Sequence, residues 1–142
     1  MAVRRGNSQN KEVNTISLRS AKMDSPYGES FEEYLKVSLE EHLMSANLFD
    51  KNANLLLTST LLKNNIETGL VATGTADISA NFTLTQDSKI VYDKTHTIHH
   101  EWDSSFVGAI AIPNATENYP IAIQKLINKL MADNDFLMVV KK

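Results

Sequence analysis

The sequence predicts an α+β fold: a three- to four-stranded, mainly antiparallel sheet with two helices packed on one face, in the order β-α-β-β-β-α. Two segments, 30–47 and about 116–132, space their apolar residues three and four positions apart, the period of a helix. A third stretch, 76–102, alternates apolar and polar residues for most of its length, the period of a half-buried strand. Helical and extended segments alternate too few times for a doubly wound parallel sheet.

Residues 1–11 are polar and read as a disordered tail, which leaves 12–142 as one α+β domain. Val13, Ile16 and Leu18 are the first residues able to join a short strand, and Met23 to Gly28 reads as a loop through Ser25-Pro26-Tyr27-Gly28. Ser30 and Glu33 have the spacing of a capping box, so a helix starts there. Phe31, Leu35, Leu39, Leu43 and Ala46 form its apolar stripe, with Glu32, Lys36, Glu40 and Glu41 turned to water and Asn47 near its end. Glu32 and Lys36 are spaced for an i,i+4 pair.

Asn54 to Leu62 reads as a strand, with Asn64-Asn65 as a turn after it. The next strand is defined by Ala76, Ile78, Ala80, Phe82 and Leu84 alternating with Asp77, Ser79, Asn81, Thr83 and Thr85. Gln86 to Lys89 turns the chain, and Ile90, Tyr92, Ile98 and Trp102 share a phase on the returning strand of an antiparallel hairpin. Ser104 to Ala115 is small and apolar and reads as a connector. The second helix starts near Thr116, with Pro120 in its first turn and Tyr119, Ile123, Leu126, Ile127 and Leu130 as its stripe. Asp133-Asn134-Asp135 breaks it ahead of a last apolar patch, Phe136 to Val140.

The chain has 142 residues, 42% of them hydrophobic, enough for one core without metal or disulfide staples. It has no cysteine, which removes a disulfide framework, a thiolate metal site and a cysteine nucleophile. A formal charge of −3 argues against a nucleic-acid partner, whose binding draws most of its affinity from positive charge. Asn81-Phe82-Thr83 and Asn114-Ala115-Thr116 match the glycosylation pattern, which has meaning only in a eukaryotic secretory context.

The sharpest chemical candidate is His96, His99 and His100 with Glu101 and Asp103, since imidazoles and carboxylates bind metal or share protons. On a strand, His96 and His100 share a face about 13 Å apart at ~3.3 Å per residue, and His99 points the other way, so no ligand set is expected. Ser104-Ser105 lacks the setting of a nucleophile elbow, and Asp77, Asp87 and Asp93 fit a wet face or turn. Gly69 and Gly74 do not form a phosphate loop, because no Lys-Ser or Lys-Thr follows them. Neither catalytic residues nor a cofactor are expected. Trp102, Phe106, Val107, Ile110 and Ile112 either close the core or form an exposed apolar ledge of the kind that marks a partner site.

Ser25 to Leu35, Val91-Tyr92-Asp93-Lys94, and Ser104 to Pro113 with Tyr119 and Asp135-Phe136 resemble small bacterial cell-envelope lipoproteins, over about residues 12–140. The element order is more loosely similar to accessory lipoproteins of outer-membrane assembly, in which two helices pack on a small sheet. The resemblance implies a periplasmic domain tethered to the outer membrane through a lipidated cysteine, with no cofactor and no catalytic residues. The sequence shows neither a leader nor a cysteine, so the tether is expected if a native leader precedes it, and a cytoplasmic location otherwise. The resulting expectation is a non-catalytic envelope accessory or binding domain that contacts a protein or lipid through the polar sheet face or the ledge. The alternatives are a small metal-dependent hydrolase built on His96, His99 and His100, and a cytosolic subunit that pairs through a sheet edge.

Overall fold

The computed structural model describes residues 1–18, 21–26, 30–68, 73–105 and 107–141. In chain order the elements are β1 (Ala2–Arg5), a short 3-10 helix (Lys11–Asn14), β2 (Ile16–Leu18), β3 (Ala21–Met23) and α1 (Phe31–Ser45). There follow β4 (Leu55–Glu67), β5 (Thr73–Gln86), β6 (Lys89–Asp103), α2 (Gly108–Met131) and α3 (Asn134–Val140). The main sheet runs β1-β4-β5-β6, and β2 pairs with β3 as a separate small hairpin. As the sequence predicts, the fold is α+β, and the sheet is mainly antiparallel with α1 and α2 packed on one face. Its inward residues join Leu35, Leu39 and Leu43 of α1 and Ile123, Leu126 and Leu130 of α2 in one core.

The disordered tail expected over 1–11 is corrected. Ala2–Arg5 pairs in parallel with Leu56–Ser59, and the Gly6 amide bonds to Ser59 O at 2.7 Å. Met1 and Val3, two residues apart, bury their side chains while β4 supplies the backbone partners. Two apolar residues among polar ones are too short a signal for periodicity to register.

That segment also changes the surroundings of α1. Ser30 caps the helix as expected, its Oγ accepting from the Glu33 amide at 3.1 Å. Glu32, expected in water, is buried: its carboxylate accepts from the Ser8 amide at 3.3 Å and lies 4.0 Å from Arg5 Nε. Lys36 pairs with Glu33 and Glu40, at 3.9 and 3.6 Å, in place of Glu32.

Strand β4 runs on to Glu67, so Asn64-Asn65 is no turn. A register shift between Leu61 and Lys63 explains it. Leu57, Ser59 and Leu61 face inward before the shift and Asn64 and Ile66 after it, while Leu62 is turned to solvent. A bulge thus moves the inward phase by one residue. A second shift, opposite Leu84 and Thr85, leaves Ile90 exposed while Tyr92, Ile98 and Trp102 are buried, so Ile90 is out of the phase expected for it.

The connector expected at 104–115 is helical from Gly108, and α2 contains both Pro113 and Pro120. Each proline forfeits a helical hydrogen bond. Ala111, Ala115, Tyr119, Ala122, Ile123 and Leu126 nevertheless form a continuous buried stripe, and its small members let the helix lie close to the sheet. The last apolar patch is a third helix, α3, whose N-cap Asp133 accepts from the Asp135 amide at 3.1 Å.

Candidate partner-binding face and the histidine positions

Strand alternation sends the three histidines of β6 into separate environments. His96 and His100 point inward and are buried; His99 stands on the opposite, open face. Among the described residues, no three His, Asp or Glu groups are placed to hold one metal ion.

His96 belongs to a network that closes β6 against the turn between α2 and α3. Tyr92 donates its hydroxyl proton to Asp133 Oδ2 at 2.7 Å, so its oxygen accepts from His96 Nε2 at 2.8 Å, which assigns the proton to Nε2. Lys94 Nζ lies 2.8 Å from Asp133 Oδ2 and 3.1 Å from Asp135 Oδ2. The Lys94 ammonium and then the Tyr92 hydroxyl hold the Asp133 carboxyl down at about 2. Burial pushes Tyr92 up and His96 down, which keeps the phenol protonated and the imidazole neutral. The Phe136 ring of α3 packs edge-on against Tyr92 at 5.4 Å, so the network and this contact together fasten α3.

His99 is held by two carboxylates, with Nδ1 2.6 Å from Asp77 Oδ1 and Nε2 2.9 Å from Glu101 Oε1. A carboxylate accepts, so both ring nitrogens donate; Glu101 first and Asp77 second raise its pKa. An imidazolium clamped at both nitrogens has no lone pair to give a metal. His100 Nε2 meets Asn118 Oδ1 at 2.9 Å, while Asn118 Nδ2 donates to Asn114 O at 2.8 Å and so sets the amide's orientation. His100 therefore bridges β6 to α2 as a donor.

The remaining chemical candidates are dispersed. Asp77 is opposite His99 and Asp93 opposite Thr83, six positions along β5, while Asp87 occupies the hairpin turn. Ser105 Oγ accepts from the Val107 amide at 3.0 Å. Gly69 and Phe106 lie outside the described residues. Gly74 is in β5, where the Trp102 indole fills the space a Cβ would need.

The five ledge residues separate. Trp102 is 9% exposed and belongs to the core, and Ile112 packs partly buried against it. Val107, the N-cap residue of α2, and Ile110, in its first turn, are 55% and 52% exposed. The second candidate surface is the open sheet face. There Ser79 Oγ meets Thr97 Oγ1 at 2.8 Å, Asn81 Nδ2 donates to Asp93 Oδ1 at 2.8 Å, and Thr83 Oγ1 donates to Asn81 Oδ1 at 2.9 Å. The first two bonds cross from β5 to β6 and the third runs along β5, and together they fix the polar side chains while leaving them open to water or a partner. Sequence reasoning missed the pairing of Lys94 with Asp133. The two are far apart in sequence, and an Asp-Asn-Asp run reads as a helix break.

No family model matches the chain, and no curated protein is similar to it. Solved structures are. A Xanthomonas campestris protein of the family DUF330 matches with a TM-score of 0.65 and 16% identity, over 92% of this chain and 80% of that one. A Caulobacter crescentus protein inferred to be a lipoprotein matches with a TM-score of 0.60 and 13% identity, over 89% and 92%. A minor lipoprotein of Acinetobacter baumannii matches with a TM-score of 0.50 and 14% identity, over 92% and 90%. The chain therefore has a fold found in small bacterial envelope lipoproteins. Among the described residues, no helix is long and apolar enough to cross a membrane.

Proposed function

We propose that this chain is the non-catalytic binding domain of a bacterial envelope lipoprotein, periplasmic and tethered to the outer membrane, which contacts a protein partner. The observation that carries the reading is the shared fold: the chain matches the Caulobacter lipoprotein along 89% of its own length and 92% of that protein's. Two surfaces support contact with a partner. Val107 at the N-cap and Ile110 in the first turn of α2 expose apolar side chains, and the open sheet face presents an ordered array of hydroxyl, amide and carboxylate groups.

Fractionation and intact-mass measurement of the protein expressed from its complete native reading frame test the proposal. A lipid-modified N-terminal cysteine in the outer-membrane fraction is the expected result. An unmodified protein in the cytosol would overturn it.

A further inference from the structure

We infer that the outer edge of β6 receives an extended, lysine- or arginine-bearing segment of a partner protein as a fifth strand of the main sheet. The inference deepens the partner-binding reading and rests on it.

β6 is the last strand of the sheet, so one side of its backbone is not paired within it. Lys129 Nζ identifies the residues on that side, because it donates to Thr97 O at 2.8 Å from outside the ladder. In an antiparallel edge strand, the N–H and C=O of one residue point to the neighbour and those of the next point away. The outward set therefore falls at Thr95, Thr97, His99, Glu101 and Asp103. Side-chain distances agree: Ser79 with Thr97 and Asp77 with His99 approach to 2.8 and 2.6 Å, as residues do in non-hydrogen-bonded pairs. Among the described residues, Lys129 makes the one bond recorded to this outer backbone row.

Charge selects the occupant. The outward-facing residues of β5 from Thr73 to Thr85 and of β6 from Asp93 to Asp103 include Asp77, Asp93, Glu101 and Asp103, and no lysine or arginine. The one cation among them, His99, is already shared by Asp77 and Glu101. A second copy of this chain docked on the edge would set two such acidic rows beside each other, and like charges across a strand pair are destabilising. A basic strand would gain backbone bonds from the outward row and place alternate side chains against these carboxylates. Lys129 shields one carbonyl, a common guard on exposed edges, and its single bond would be exchanged for a backbone amide of the incoming strand.

The test titrates the folded chain with a short peptide of alternating lysine and threonine at low ionic strength, followed by amide NMR and hydrogen exchange. Saturable binding is expected, with exchange at Thr95, His99 and Glu101 slowed at least about tenfold. The same peptide with both its lysine and its threonine backbone amides N-methylated keeps its charge and is expected to lose binding. Glu101→Gln with Asp103→Asn is expected to weaken binding by about tenfold, the sum of two cross-strand charge pairs. Absence of saturable binding would overturn the inference, as would equal binding of the N-methylated peptide, which would show attraction to surface charge without strand addition. A peptide-free dimer by light scattering with these amides already protected would overturn it in favour of self-pairing. Fractionation tests the envelope reading independently, so a protein that localises to the outer membrane and ignores the peptide sinks the edge inference alone.

Discussion

Tyr119, buried in α2, donates its hydroxyl proton to Oδ1 of Asn64 at 2.8 Å, and Asn64 Nδ2 donates in turn to Val13 O at 2.8 Å. One amide thus joins β4, the second long helix and the N-terminal 3-10 turn. Tyr119 is also packed edge-on against Phe31 of α1 at 5.0 Å.

Asn64→Leu removes both bonds and leaves a buried hydroxyl and a buried carbonyl without partners, so it is expected to cost about 2–4 kcal/mol in urea unfolding. Adding Tyr119→Phe should recover part of that loss, because an apolar pair is cheaper than one orphaned partner. An unfolding midpoint for Asn64→Leu equal to that of the parent would show that the amide does not tie the layers.

Asp133 predicts an acid-sensitive attachment of α3. Its carboxyl is depressed to about 2 in the folded chain from an ordinary 3.8, so its contribution to stability is complete above the ordinary value and is lost as pH falls through the folded one. Asp133→Asn should cost about 1 kcal/mol at neutral pH, a low figure for charged hydrogen bonds because solvent screens the group. The gap between parent and variant should close as pH approaches 2. Unfolding curves measured across this range check it; a constant gap would remove Asp133 ionisation as the cause.

His99 and His96 should titrate in opposite directions. His99 is raised above 6.5, so its pairing stabilises fully below that value and is lost as pH climbs through the folded pKa. His96 is lowered, so its stabilising neutral state is complete above 6.5 and is eroded as pH falls below it. Imidazole NMR shifts should give His99 the higher pKa of the two, and Asp77→Asn with Glu101→Gln should bring it down. A parent His99 titrating at or below 6.5 would contradict the clamp.

The β5–β6 turn offers a stabilising change. Asp87 and Ser88 have φ of 51° and 67°, a left-handed region that favours glycine and asparagine. Asp87→Asn with Ser88→Gly is expected to raise stability by about 0.5–1 kcal/mol, seen as a higher thermal midpoint. An unchanged midpoint would mean that the native pair carries no strain there.

The long regular elements were legible because their periods persist. Ala76 to Leu84 alternates without interruption, and Phe31 to Leu43 holds a helical stripe. Strand parity also placed His99 opposite His96 and His100. What escaped is what depends on distant chain or on a phase change. β1 has meaning only beside Leu56–Ser59, and Asn64 reads as a turn until the bulge at Leu62 turns it inward. The first turns of α2 were hidden by Pro113, which reads as a helix stop although Ala111 and Ala115 on either side of it are buried in the stripe that faces the sheet. Tyr92 gave no sign of its bond to Asp133, since nothing local links residues 41 positions apart.

The parallel pairing of β1 with β4 has a kinetic consequence. Neighbouring stretches of chain supply the β4–β5–β6 meander, whereas Ala2 meets Leu56 only after more than fifty residues have been drawn into a loop. Closure entropy rises with loop length, so the meander is the natural nucleus and the N-terminal strand the last piece to arrive. Glu32, which settles against Ser8 and Arg5, is then expected to stay in water until the N-terminal strand docks, so that its burial would report that late step.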